Sequence, residues 1–257
     1  MAGNYKGKNS TANNALEILN LFTVEQKTIT AIQIANHLQT SRSTAYRYLD
    51  TLLEMNFLAE DPAGGYRIGR RIQELAMLDR DSDRALVLAQ SWLLQLRDEF
   101  DETTTYTARL GGIRTVIRAS ESSNRLLRVS YDLGTVMPLY AGAPSLVLLF
   151  GDTDEQVRSA FSGVEIEPYT DDTPRTVQDV LRIVNAIRRH GFYVSRGEYD
   201  RDSVSVGVPV FGDDPTKPVA GLGIVLPSSR STPDREANMV DRLRHAAEDI
   251  NRQLLAG

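Results

Sequence analysis

The chain has 257 residues, 41% of them hydrophobic and 25% charged, with a net charge of −5 and no cysteine. That length holds one large or two modest domains, and the composition is that of an ordinary globular protein rather than a disordered one. Without cysteine there are no disulfides, thiolate zinc sites or cysteine nucleophiles.

Three histidines, His37, His190 and His245, sit far apart in dissimilar surroundings, so no metal site is expected. The longest apolar run, 146–150, is far short of the roughly 20 residues that a bilayer span needs. The N-terminus MAGNYKGKNST lacks the apolar centre of a signal peptide. A cytoplasmic protein with no membrane partner follows. Residues 1–78 carry eight Lys or Arg against seven Asp or Glu, a net +1, which leaves −6 on the remainder. A small head with a weak basic bias on an acidic body is the sign pattern of a DNA-binding protein.

Residues 1–11 read as a flexible arm whose Lys6 and Lys8 can reach phosphates. From Asn13, the residues Leu16, Ile18, Leu19 and Phe22 predict a first helix ending near Thr23. IQIANHLQT (32–40) puts Ile32, Ala35 and Leu38 on one face of a short second helix, and Gln39-Thr40 has the length of a helix-turn-helix corner. In TSRSTAYRYLDTL (40–52), Ala45, Leu49, Leu52 and the following Leu53 recur at helical spacing and face a small core. Arg42, Ser43, Tyr46, Arg47 and Asp50 then point outward, with Thr40 or Ser41 as the cap. Short hydroxyls and backbone N–H groups at a first helical turn suit phosphates, and arginine forks suit guanine edges or phosphates. Any amphipathic surface helix shares part of this pattern. What is specific is the order helix, turn, helix, hairpin, because FLAEDPAGGYRIG (57–69) reads as two short strands about a Pro-Ala-Gly-Gly turn, the wing. The candidate DNA-binding residues are therefore Ser41, Arg42, Ser43, Thr44, Tyr46, Arg47 and, on the wing, Arg67. The winged helix-turn-helix spans 12–69. RRIQELAMLDRDSDR (70–84) opens with Arg70 and Arg71, candidates for phosphate contact, and becomes a linker helix over 70–83 with a narrow stripe of Ile72, Leu75, Ala76 and Leu78.

The second domain, 84–257, opens with a helix over 85–100 whose apolar faces are broad enough to be buried on more than one side. TTYTARL and RTVIRAS around Gly111-Gly112 form a hairpin, and RLLRVSYDLG (125–134) reads as a third strand. PLYAGAPSLVLLFGD (138–152) is a small-residue loop becoming an apolar helix, and DEQVRSAF (154–161) is an exposed one. A helix over 176–191 closes at Gly191. Strands FYVS, SVSVGVPVFG (203–212) and VAGLGIVLP (219–227) follow, and a last helix starts at Thr232-Pro233, a good cap and first-turn pair. The fold class is α+β: an antiparallel sheet of five or six strands with helices on one face and at one end. Glu198, Asp200 and Asp202 read as a solvated acidic loop.

The whole chain resembles the IclR family of bacterial transcriptional regulators. STAYRYLDTL with FLAEDPAGGYRIGRRIQELA, RVSYDLGTVMPLYAGAP, RRHGFYVSRGEYDRDSVSVGVPVF and LGIVLPSSRSTPDR carry the resemblance, through their order and spacing over the full length. It implies a winged helix-turn-helix followed by an effector-binding domain of GAF-like fold. It also implies a homodimer or dimer of dimers on double-stranded palindromic operator DNA, most often as a repressor, released or held by a small organic acid. Carried over position by position, the effector pocket consists of Leu126 and Val129, Ala143 and Pro144 at a helix start, Ser195, Ser205, and Gly223 and Val225 on the last strand. Free N–H groups at residues 143–145 would hold a carboxylate, although Pro144 removes one. Where small-acid binders of the family offer a carboxylate or thiol and a pair of hydroxyls, this chain has Ser195, Ser205, Gly223 and Val225. That favours a ligand larger or less polar than a two- or three-carbon keto acid, an aromatic acid being one such. The alternative is that these small residues only let strand and helix pack closely.

Nothing in the sequence resembles catalytic machinery. Gly221-x-Gly223 lies inside a strand and lacks the third glycine and following helix of a nucleotide fingerprint. No cofactor is expected. Two competing readings are an enzyme of GAF-like fold that uses its wing for protein contact, and a wing that serves only for dimerisation.

Overall fold

The computed structural model describes residues 10–23 and 26–256. The arm with Lys6 and Lys8 falls outside the described residues. The chain divides into two compact units, one ending at Ser82 and the other beginning at Asp83.

The first unit contains α1 (Ser10–Asn20), α2 (Ala31–His37), α3 (Arg42–Glu54), β1 (Leu58–Glu60), β2 (Tyr66–Ile68) and α4 (Arg70–Ser82). Thr30 caps α2 in a reciprocal box with Gln33, which satisfies two donors at once and fixes where the helix starts. Gln39 then turns the chain at φ 50°, and Ser41, rather than Thr40, caps α3 by accepting from Thr44 N–H at 3.2 Å. Ile18, Ile34, Leu49 and Leu58 meet in the core. Two expected core residues face out instead: Leu16 is exposed on α1, and on α2 the buried position is Ile34 while Ile32 is 48% exposed. Burial at 31, 34 and 35 shows that the stripe of α2 is rotated by about one residue from the expected one. In the wing, Gly64 and Gly65 adopt positive φ. A Cβ on Gly65 would lie 2.6 Å from the Ile29 carbonyl oxygen, because Ile29 exchanges both backbone hydrogen bonds with Tyr66 at 2.9 and 2.7 Å. On α4, Leu75, Met77 and Leu78 are exposed, so the expected apolar stripe buries little within the chain.

The second unit contains α5 (Arg84–Phe100), β3 (Thr103–Gly111), β4 (Arg114–Glu121), β5 (Val136–Pro138), α6 (Ala143–Leu146), α7 (Asp154–Ala160), α8 (Val177–His190), β6 (Tyr193–Arg196), β7 (Ser203–Phe211), β8 (Pro218–Pro227) and α9 (Pro233–Ala256). Six antiparallel strands lie in the order β5-β4-β3-β8-β7-β6. The strand expected over 125–134 is a loop, and the edge strand is the three-residue segment that follows it. The apolar residues of that loop join no strand; Thr103 instead donates its hydroxyl to the Val129 carbonyl, and Arg230 donates to that of Leu127.

Strand alternation separates the two faces. Val204, Val206, Val208 and Val210 of β7 and Ala220, Leu222, Ile224 and Leu226 of β8 bury against α5 and α9. Each Val, Leu or Ile among them contributes about 1.5–3 kcal/mol, Ala220 less. The odd-numbered residues point to the other face, where α6 lies across β7, β8 and β3. Helices thus cover both faces, not one face and one end as the sequence suggested. The reason is glycine: a Cβ would stand 2.6 Å from the Ala143 carbonyl carbon at Gly207 and 1.9 Å from the Pro144 carbonyl oxygen at Gly221. Only bare backbone lets α6 settle this close.

Glu102, at the α5–β3 junction, has no exposed surface and is gripped by Arg230 at 2.5 Å and Arg235 at 3.0 Å. This pair of arginines ties the start of α9 to the sheet.

Candidate functional site

On the first unit, the N-terminal half of α3 is a polar surface. Ala45, Leu49 and Leu52 are buried, while Arg42, Ser43, Tyr46, Arg47 and Asp50 are exposed. The hydroxyl of Ser41 lies 2.9 Å from those of both Ser43 and Thr44. Three hydroxyls are thereby gathered at the first turn, where backbone N–H groups and the positive helix end favour an anion. Arg67, the middle residue of β2, is exposed on the wing. The surface can form charge-assisted hydrogen bonds to phosphates and reach base edges with Arg47.

On the second unit, the sheet face beneath α6 holds a small cavity of about 30 Å³, room for one or two water molecules. Of the positions predicted from the sequence, Pro144, Ser195, Ser205 and Val225 line it. Strand register brings three of them together: Ser205 stands opposite both Ser195 and Val225. Ala143 is buried and donates its N–H to the Ser205 hydroxyl at 3.0 Å. Gly223 does not open space on the last strand, because Pro144 fills it: a Cβ there would lie 2.3 Å from Pro144 Cγ. Leu126 is 103% exposed and Val129 half-buried, and neither lines the cavity. The same loop instead contributes Tyr131, whose ring stands 6.4 Å from that of Tyr199, with Tyr169 a further 4.8 Å on. Burial raises the pKa of both Tyr131 and Tyr199, so both are neutral phenols at physiological pH. Met137, Ile117 and Val225 supply apolar wall.

The N–H groups expected to be free at the start of α6 are occupied. Gly142 N–H donates to the Glu198 carboxylate at 3.1 Å, Ala143 N–H to Ser205, and those of Ser145 and Leu146 to the Gly142 carbonyl. Residue 144, a proline, has none. Glu198 is not the solvated acid expected from its loop: it is 5% exposed. Tyr193 donates to it at 2.5 Å, Ser195 donates as well, and Thr173 fixes its carbonyl at 2.6 Å. Burial raises its pKa above the ordinary carboxylate value, against the pull of those hydrogen bonds.

Comparison with known proteins covers both units of the chain. The IclR helix-turn-helix domain matches residues 11–62, and the bacterial transcriptional regulator IclR C-terminal domain matches residues 83–252. The chain belongs to the IclR family. Among its relatives, the HTH-type transcriptional regulator KipR of Bacillus subtilis is 24% identical over 97% of this chain and 98% of its own length. KdgR of Escherichia coli is 27% identical over 90% of this chain and 87% of its own length. An IclR homologue from Microbacterium hydrocarbonoxydans, solved in complex with 4-hydroxybenzoate, superposes with a TM-score of 0.83 at 21% identity, covering 96% of this chain and all of that one. This IclR-family chain is a transcriptional regulator like its relatives, not an enzyme. No helix among the described residues is long and apolar enough to cross a membrane, and none of their acidic or histidine groups cluster as a metal site would require.

Sequence reasoning missed Thr105, Thr107, Tyr131 and Tyr199 in the cavity of this IclR-family protein. Thr105 and Thr107 were legible: once Tyr106 is assigned to the core, its neighbours in TTTYT must face the other side. Tyr131 and Tyr199 lie in loops with no periodicity to read.

Proposed function

We propose that this IclR-family protein binds a palindromic operator as a homodimer or dimer of dimers. It acts there as a repressor in the cytoplasm, and a small molecule in the cavity beneath α6 modulates its grip. The observation that carries the DNA half is the exposed polar face of α3, with its gathered hydroxyls and Arg42 and Arg47, next to an ordered wing. Self-association is supported by apolar side chains left uncovered in the single chain, Val87 and Leu94 on α5 and Met77 and Leu78 on α4. The sensing half is supported by a walled cavity whose tyrosines and apolar residues suit an aromatic ring.

Fluorescence anisotropy on duplexes from the promoter region next to the coding sequence tests the DNA half. Arg47→Ala is expected to lose about 1–3 kcal/mol of operator binding and to relax preference at one position of each half-site. Arg42→Ala and Arg67→Ala, at phosphates, are expected to weaken all sequences alike and flatten the salt dependence. An Arg47 variant with native affinity and preference would remove α3 from the interface. Ser205→Leu, which fills the cavity, is expected to leave DNA binding intact and abolish its modulation.

A further inference from the structure

Two hydroxyls in the second unit break the pattern of satisfied burial. Among the described residues, the side-chain oxygens of Thr105 and Ser120 are buried without a hydrogen-bond partner. They are neighbours. Thr105 on β3 stands directly opposite Ser120 on β4, and residues opposite each other in an antiparallel pair share one face of the sheet. Thr105 is 1% exposed and lines the cavity beneath α6, so that face is the cavity's.

A threonine and a serine so placed can bond to each other. Here neither does, although a buried hydroxyl left unpaired costs free energy. Nearby hydroxyls on the same strands are satisfied: Thr103 donates to the Val129 carbonyl, Thr104 to that of Leu93, and Thr115 shares a bond with Ser145. The open pair also lies apart from the serines expected to bind the effector. β8 separates β3 from β7, which puts Thr105 roughly 10 Å across the sheet from Ser205. Ile117 and Met137 wall the cavity on the β3–β4 side. The cavity is small, but Tyr131 and Tyr199 of its wall lie outside the helices and strands.

We propose that Thr105 and Ser120 form a second polar subsite of the effector cavity, which takes a hydroxyl group at the end of the ligand remote from Ser205. Each side chain can give one hydrogen bond and accept another, and a ligand hydroxyl, which does the same, completes both. A methyl group in its place leaves both unpaired. Thr105 and Ser120 thus determine specificity for a hydroxylated ligand over its methyl analogue, while Tyr131 and Tyr199 move aside for the ligand's body. The inference rests on the reading of this cavity as the effector site.

The test is calorimetric titration of the full-length protein with pairs in which a methyl group replaces a hydroxyl: phenol and toluene, 3-hydroxybenzoate and 3-methylbenzoate, 4-hydroxybenzoate and 4-methylbenzoate. At least one hydroxyl member is expected to bind roughly tenfold or more tightly than its methyl counterpart. Thr105→Val, which keeps the shape, brings that ratio towards one by weakening the hydroxyl member alone. Ser120→Ala does the same from the other half of the pair. Without ligand, Thr105→Val is expected to unfold at no lower a temperature than the native protein, because a hydroxyl with no protein partner adds nothing to the fold. Methyl members that bind as tightly as hydroxyl members, a ratio unchanged in both variants, failure of every hydroxyl member to bind, or earlier unfolding of Thr105→Val each overturn the proposal. Failure of the underlying reading looks different: hydroxyl-selective binding that persists unchanged in Ser205→Leu means that the ligand sits elsewhere.

Discussion

The two units place their polar side chains in opposite ways. On α3 Arg42 and Arg47 stand exposed, and the hydroxyls of Ser41, Ser43 and Thr44 bond to one another and to the helix start. In the second unit, Glu102, Glu198, Thr104 and Ser145 are buried, and each has partners within the protein. A solvated polar face suits a polyanion that arrives with its own counterions and water, and it adapts to sequence through long side chains. A buried polar wall whose partners are already chosen suits a ligand only where one place has been left open. Among the described residues that line this cavity, that place is Thr105. The same chemistry, hydroxyl and charge, therefore serves recognition by exposure in one unit and by prior occupation in the other.

The contrast can be attacked first where burial is deepest. Glu102→Ala leaves Arg230 and Arg235 facing each other without their acid, and the loss of one partner from a buried pair costs about 3–5 kcal/mol. Urea unfolding of the second unit should show that loss; a change under 1 kcal/mol would mean that water replaces the carboxylate freely. In the first unit the comparable loss is smaller because its polar groups are exposed. Ser41→Ala removes the α3 cap and should cost about 1 kcal/mol, read as earlier unfolding of the head, with Ser41→Asp restoring it.

The smallest effect is a dependence on pH. Burial raises the pKa of Glu198, so the folded protein holds this proton more tightly than the unfolded chain. The associated stability is complete below the ordinary carboxylate value and is lost as pH rises through the raised one. Glutamine has no such dependence. In thermal unfolding, the native protein should therefore lose ground to Glu198→Gln as pH rises across that window. The opposite slope would show that hydrogen bonds from Gly142, Tyr193 and Ser195 outweigh burial.

Sequence legibility followed the same division. Elements defined by local chemistry were readable: the corner before α3, the wing with its glycine pair, the hairpin at Gly111-Gly112 and α8 with its Gly191 terminus. Expectations failed where a residue's surroundings come from distant chain. Apolar residues at 125–134 resemble a strand, yet the chain there forms a loop held by Thr103 and Arg230 rather than joining the sheet. Ile32 and Ile34 are equivalent by composition, and only the packing of α2 decides which is buried.

Order, spacing and capping along the chain were enough to determine a winged head followed by a body with an antiparallel sheet of five or six strands, because those features depend on near neighbours, and the motifs in that order carried the resemblance to the IclR family. The cavity was decided only by tertiary structure. Three glycines on β7 and β8 draw α6 onto the sheet, Pro144 fills the space that Gly223 was expected to open, and Glu198 folds back from its loop to accept the Gly142 N–H. Side chains separated by more than fifty residues meet there, and no pattern of residue spacing encodes which of them arrives first.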